Sequence, residues 1–403
     1  MVYCQIENKF KAFILTALLS LTIVAVSLTT FTSGNVAYAT SSGFNSTAKS
    51  AYLVDDLSGS VIFAKNENAR LPIASMMKIM TTLLTFEAID SGKLSLDEEI
   101  EISEIAANMG GSQVFLDANS KHKVSNLIKS VIVASANDSS VALAEKIGGS
   151  VSGFVDMMNS RAKQLKMDNT HFVNCTGLPA PESFSSAKDA SIMFRELIQH
   201  SGYFNYSKIW LEEYPHPSGR TTTITNTNKL VRFYKGCDGG KTGFTNEAKF
   251  CLTATAKRDD MRLVGVVIGA DSSKSRFSDV SEMFNTAFNN YTNKSLVRAG
   301  ESVKNNIEVV GGKKNTIDIT VDKHLSAFMA KNEGAKFEVK FELPTTIKAK
   351  ISVGDIIGKA YLVKDGVVTD EANVVANETV LHSSVFDEIK RIGDNWCDYQ
   401  IKK

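Results

Sequence analysis

The segment LPIASMMKIMTTLLTFEAI, Leu71 to Ile89, limits the fold more than any other stretch of the chain. From about Ser75 it reads as a helix, and Met76, Met77, Ile79, Met80, Leu83 and Leu84 leave it apolar on nearly every side. Such a helix belongs in the interior of a domain, so the rest of the fold must wrap it. Two polar groups, Ser75 and Lys78, nevertheless stand at its head. One helical turn stacks residues three apart on one face. The pair therefore reads either as a cap with a lysine reaching for water or as a nucleophile beside its base.

With 403 residues and 43% apolar side chains, the chain can bury a sizeable core in more than one domain. Its 45 basic and 44 acidic residues leave a net charge of +1, so nothing draws the whole chain toward nucleic acid, and no nucleic-acid partner is expected. Lys9 and Lys11 precede an uncharged run from Ala12 to Leu28, and Ala37-Tyr38-Ala39 follows. That order reads as a cleaved export signal over residues 1–39, with an uncleaved anchor as the alternative. Of the five cysteines, Cys4 falls in the leader, and Cys175, Cys237, Cys251 and Cys397 are too scattered for a disulfide framework. A hairpin turn centred on Thr245 to Ala248 sets Cys251 opposite Thr242 rather than Cys237, so no bridge is expected there. The six histidines show no metal-ligand spacing, and neither a metal nor a cofactor is expected.

Residues 40–293 mix strand and helix patterns. AYLVDDLSGSVIFAK gives two strands around a turn. KVSNLIKSVIVASANDSSVALAEKIGG gives two helices with a break at Ser135 to Asn137. GGKTGFTNEAKFCLTATAKRDDMRLVGVVIGA gives three strands. The class is α/β (α+β) with an antiparallel sheet. Beyond Ser295 the texture becomes alternating, as at Ile317, Ile319 and Val321, and predicts a small all-β domain over 296–381. In the tail, 384–403, Val385, Phe386, Ile389, Ile392, Trp396 and Tyr399 fall on one stripe. It reads either as a helix docked on the β domain or as an amphipathic anchor on a membrane surface.

Ser-x-x-Lys alone says little, since it begins at Ser46, Ser75, Ser120, Ser160 and Ser185 alike. Only the match at Ser75 opens a buried helix, where apolar walls depress a lysine pKa and free its amine to accept a proton. Farther on, Ser135-Ala136-Asn137 lies at the break between helices, and Lys241-Thr242-Gly243 enters a strand. The three motifs in this order resemble the penicillin-binding protein and serine β-lactamase superfamily. The segments PIASMMKIMT, SANDSSVALAE, TNTNKLV, DGGKTGFT and RLVGVVIGA resemble most closely the low-molecular-mass D-alanyl-D-alanine carboxypeptidases, peptidase family S11. The sequence departs at Ala136, often glycine in the family, and at Phe244, histidine in some members.

The resemblance implies a transpeptidase-like fold and a hydrolase of cell-wall peptides at the outer face of the bacterial cytoplasmic membrane, or secreted. It implies catalytic roles for Ser75 as nucleophile, Lys78 as base and Ser135, bridging Lys78 and Lys241, as proton relay, with Asn137 helping to fix Lys78. Substrate contacts are implied for Asn137, Lys241, Thr242, Gly243, Phe244 and Arg276, the last as a binder of the substrate carboxylate. A surface pairing of Arg276 with Asp279 is the alternative. The implied partners are a peptidoglycan stem peptide ending in D-Ala-D-Ala and β-lactam antibiotics. A β-lactamase and a transpeptidase are rivals within the superfamily, and an inactive wall-binding module that retains the fold is a third, against which the intact motifs argue. Class A lactamases carry a Glu-x-x-Leu-Asn-like element that is missing between Asn137 and Lys241.

Overall fold

The computed structural model describes residues 44, 46–387 and 389–392. The expected leader, Cys4, Cys397 and the tail beyond Ile392 lie outside the described residues. Five strands from distant parts of the chain form the central sheet: β1 (Ser50–Asp55), β2 (Val61–Lys65), β3 (Cys237–Thr245), β4 (Lys249–Arg258) and β5 (Met261–Ala270). Their order is β2-β1-β5-β4-β3, antiparallel throughout.

The longer helices among the described residues are α1 (Lys78–Asp90), α2 (Val124–Val133), α3 (Asn137–Gly148), α4 (Val151–Gln164), α5 (Ala187–Leu197) and α6 (Ser273–Asn290). On one face of the sheet α6 packs against β4 and β5, and on the other α5 packs against β1 and β5. Both faces are thus covered, which explains why RLVGVVIGA is continuously apolar rather than alternating. Leu263 and Val267 join Val280 and Phe284 of α6, while Val264, Val266 and Ile268 join the helical side.

Helix α1 is the interior helix its composition demands, touching α2, α3, α4 and α5. Two of its buried threonines bond within it, Thr82 Oγ1 donating to the Lys78 carbonyl at 2.7 Å and Thr85 Oγ1 to that of Thr81 at 2.8 Å, while Thr81 Oγ1 donates outward to the Cys175 carbonyl at 2.8 Å. The α-helix does not begin at Ser75. A single 3-10 turn, Ala74–Met77, precedes it, because the chain enters through a left-handed Ala74 at φ 47°.

The β3–β4 register also differs from the expected one. Lys249 adopts φ 57° and lets residues 246–248 close the hairpin, so Thr245 pairs with Lys249 and Gly243 with Cys251. Thr242 instead faces Leu252, and Cys237 faces Ala256. Cys175, Cys237 and Cys251 are free and buried.

Strand Tyr291–Val297 follows α6 directly and pairs with Leu325–Ala330, so the expected domain edge at Leu296 falls inside it. A six-stranded sheet follows, with Phe337–Glu342 at one edge and Thr346–Lys348 at the other. Ile317, Ile319 and Val321 are buried, as their alternation requires. Strands Ile356–Lys364 and Val367–Ala376 turn at Asp365-Gly366, both at positive φ (48° and 87°), the conformation a two-residue hairpin needs.

Candidate active site

Three separate pieces of backbone carry polar side chains to one place. The 3-10 turn carries Ser75, the break between α2 and α3 carries Ser135 and Asn137, and β3 brings Lys241, Thr242 and Gly243. Glycines set how closely they approach. A Cβ on Gly243 would stand 2.4 Å from the Ile73 carbonyl, and one on Gly177 (φ 81°) 2.1 Å from that of Ala74. The turn bearing Ser75 is therefore held between β3 and the segment at Gly177. Ala74 (φ 47°) and Ser135 (φ 63°) are left-handed non-glycine residues, a conformation that costs on the order of 1–3 kcal/mol and persists only where the surroundings enforce it.

Lys78 is fully buried. Its Nζ donates to Thr176 O at 2.6 Å and to Ser75 Oγ at 3.2 Å. Burial pushes its pKa from 10.5 down to about 7, against the opposing pull of Cys175 and Asp138. An amine that is neutral near pH 7, beside a hydroxyl, can take that hydroxyl's proton.

Lys241 Nζ donates to Ser135 Oγ at 2.7 Å and to Thr242 O at 3.1 Å. Burial, then Lys78 and Arg276, hold its pKa well below the usual lysine value. Arg276 lies behind β3, its Nη1 3.1 Å from Gly243 O and 3.4 Å from Cys251 O. Its guanidinium also packs on the Phe250 and Phe277 rings. Burial lowers its pKa to about 10. Asp279 does not pair with it, since that carboxylate accepts from Ser46 Oγ at 2.7 Å and the Thr47 amide at 2.9 Å. The Arg276 guanidinium and two buried amines of lowered pKa thus lie close together, donors that an anionic end of a ligand would draw toward their charged forms.

Residues 36–272 match the model of the D-alanyl-D-alanine carboxypeptidase family, peptidase S11, and residues 291–381 match that of the penicillin-binding protein 5 C-terminal domain. The D-alanyl-D-alanine carboxypeptidase DacF of Bacillus subtilis (strain 168) is 39% identical over 356 residues, 88% of this chain and 91% of that one. The chain belongs to the S11 family. Among solved structures, penicillin-binding protein 5 from Haemophilus influenzae aligns with TM-score 0.68 and 29% identity over 84% of this chain and 98% of that one. A point mutant of the Streptomyces K15 DD-transpeptidase aligns with TM-score 0.58 and 26% identity, covering 61% of this chain and 99% of that one.

The S11 motif residues do come together, but two expected contacts take other partners. Asn137 does not hold Lys78: its Nδ2 donates to Gly110 O at 2.6 Å, its Oδ1 is buried without a partner among the described residues, and Lys78 uses Thr176 O instead. Among the described residues Ser135 Oγ is hydrogen-bonded to Lys241 and not bridged between the two lysines. The Thr176 carbonyl escaped the sequence reading. Its signal was Asn174-Cys175-Thr176-Gly177, whose Asn174 Oδ1 accepts from the Thr176 and Gly177 amides at 3.0 and 2.7 Å, an Asx turn.

Also unread was the loop from Gly110 to Leu116 that packs on Asn137 and Asp138. The Asn137 amide donates to Ser112 O at 2.7 Å, and the buried carboxylate of Asp138 accepts from the Val114 and Leu116 amides at 3.0 and 3.2 Å. From outside, Arg220 donates to Phe115 O at 2.6 Å and Thr222 to Val114 O at 3.2 Å. The loop is thereby clamped from both sides.

Proposed function

We propose that this S11 carboxypeptidase removes the terminal D-alanine of peptidoglycan stem peptides through an acyl-enzyme at Ser75. The observation that carries the assignment is the fully buried Lys78, its Nζ 3.2 Å from Ser75 Oγ. Ser75 Oγ bonds to the carbonyl carbon between the two D-alanines as its proton passes to Lys78 Nζ. The oxyanion is met by the backbone amides of Ser75 and Phe244. The C–N bond then breaks, the amine takes the proton through Ser135, and D-alanine departs. A water gives a proton to Lys78, its oxygen cleaves the ester, and that proton returns to Ser75.

Asn137 holds the acyl-side amide, its unpartnered Oδ1 being free to accept. Lys241, Thr242 and Arg276 receive the terminal carboxylate, charge-assisted contacts that position the scissile bond. A β-lactam carbonyl undergoes the same attack, but its leaving nitrogen stays tethered and the adduct persists. Mass mapping of a penicillin adduct tests the assignment. One adduct is expected on the peptide containing Ser75, lost in Ser75→Ala; an adduct at Ser120 or Ser160 overturns it. Transpeptidation is the second reading, favoured by the likeness to the Streptomyces K15 DD-transpeptidase, and amine-capped product would reveal it.

The place of action follows from the two ends. The leader-like start supports export, and Val385, Phe386, Ile389 and Ile392 are exposed apolar residues that support an interfacial anchor at the outer face of the cytoplasmic membrane. No helix among the described residues is long and apolar enough to cross a membrane.

A further inference from the structure

A cavity of about 210 Å³ opens beside the Ser75 turn, between Ala74 and Met77, the Gly177-Leu178 segment, and Thr245 with Glu247 of the β3–β4 turn. Its lining is mostly apolar, and Glu247 is the single charged side chain in it. The volume is below the roughly 300–1,000 Å³ of a site that encloses a whole ligand. It suits one side chain of a ligand held elsewhere.

Strand β3 indicates which side chain. Midway along it Lys241 stands beside Ser135, and two residues on, Gly243 touches the chain leading into Ser75 and its carbonyl accepts from Arg276. Four residues of strand, roughly 13 Å, separate Lys241 from Thr245 at the cavity. A peptide lying along β3 with its terminal carboxylate at Lys241 and Thr242 therefore runs its acyl portion past Gly243 toward Glu247. An extended chain advances about 3.3–3.6 Å per residue, so the cavity is met by a residue upstream of the D-alanine pair.

Glu247 is held in a defined place. Its neighbour Ala248 is buried, with its amide donating to Thr245 Oγ1 at 3.0 Å and its carbonyl accepting from Cys251 Sγ at 3.3 Å. Glu247 is exposed and has no ion pair among the described residues. Apolar walls ending at an unpaired carboxylate complement an aliphatic stem that carries an ammonium group. We infer that this cavity is a specificity subsite for a diamino-acid side chain of the stem peptide, recognised by Glu247.

The inference rests on the carboxypeptidase reading. The test compares kcat/KM for two peptides ending in D-Ala-D-Ala whose upstream lysine bears either a free or an acetylated ε-amine. A contact at an exposed rim is worth little, so the native protein should favour the free amine by about fivefold. Glu247→Gln should bring the ratio close to one and Glu247→Lys should invert it. High salt should flatten the native preference. An unchanged ratio in both variants, or a native preference for the acetylated peptide, overturns the subsite while leaving the carboxypeptidase intact. Cleavage of neither peptide by the native protein defeats the carboxypeptidase reading itself, and the subsite with it.

Discussion

Lys78 carries a stability cost that its chemistry requires. Its descent from 10.5 to about 7 corresponds to about 5 kcal/mol of differential interaction. Between those values the unfolded chain holds a proton that the folded one lacks, so this group's contribution to stability rises with pH. Thermal melts should therefore show Lys78→Met gaining most on the native protein at pH 7 and below, and least near pH 10.5. Acylation should run the same way for a different reason. A protonated Lys78 cannot accept the serine proton, so the rate of penicillin labelling should fall about tenfold per unit as pH drops below about 7; a pH-independent rate would remove Lys78 from the step. At Arg276 the partnerless Nε and the absence of a carboxylate partner among the described residues fit a cation reserved for substrate. Arg276→Ala should lose roughly 1.5–3 kcal/mol, about ten- to two-hundredfold in kcat/KM, on free-acid peptides. C-terminally amidated peptides should lose far less, and equal losses would make the arginine structural.

The Ser75 turn depends on close backbone contacts that only glycine permits. Gly177→Ala combines a left-handed φ of 81° with a Cβ 2.1 Å from the Ala74 carbonyl, so the nucleophile must shift. Because small misplacements of reacting groups are costly, labelling by penicillin should slow by about a hundredfold, far out of proportion to any loss in melting temperature; an equal rate would show that the turn is positioned by other means. This level is also where sequence reading was weakest. Ser-x-x-Lys, Ser-x-Asn and Lys-Thr-Gly were legible because each pairs a chemical side chain with a recognisable helix start, break or strand. Helix α1 was legible because its apolar surface leaves no other environment for it. The Thr176 carbonyl was not, because a backbone atom has no residue signature, and Asp138 was not, because the loop it holds is defined only by tertiary contact. The hairpin register slipped by one residue because Lys249, a residue type with no preference for positive φ, adopts it.

At the scale of the molecule, the two parts of the chain are joined by polar chemistry as well as by covalent continuity. Asn293 Nδ2 donates at 2.6 Å to the buried carboxylate of Asp55 at the end of β1, tying the first strand of the β region to the central sheet. The β region carries none of the site residues named above, and the exposed stripe of Val385, Phe386, Ile389 and Ile392 follows it in the chain. Deleting residues 384–403 should release the processed protein from anionic vesicles while D-alanine release persists; co-sedimentation of the truncated protein would place the anchor elsewhere. The central claim is the Ser75 acyl-enzyme, and the direct measurement is D-alanine released from a synthetic peptide ending in D-Ala-D-Ala. The native protein should liberate one D-alanine per peptide and Ser75→Ala none; release undiminished in Ser75→Ala would contradict the account.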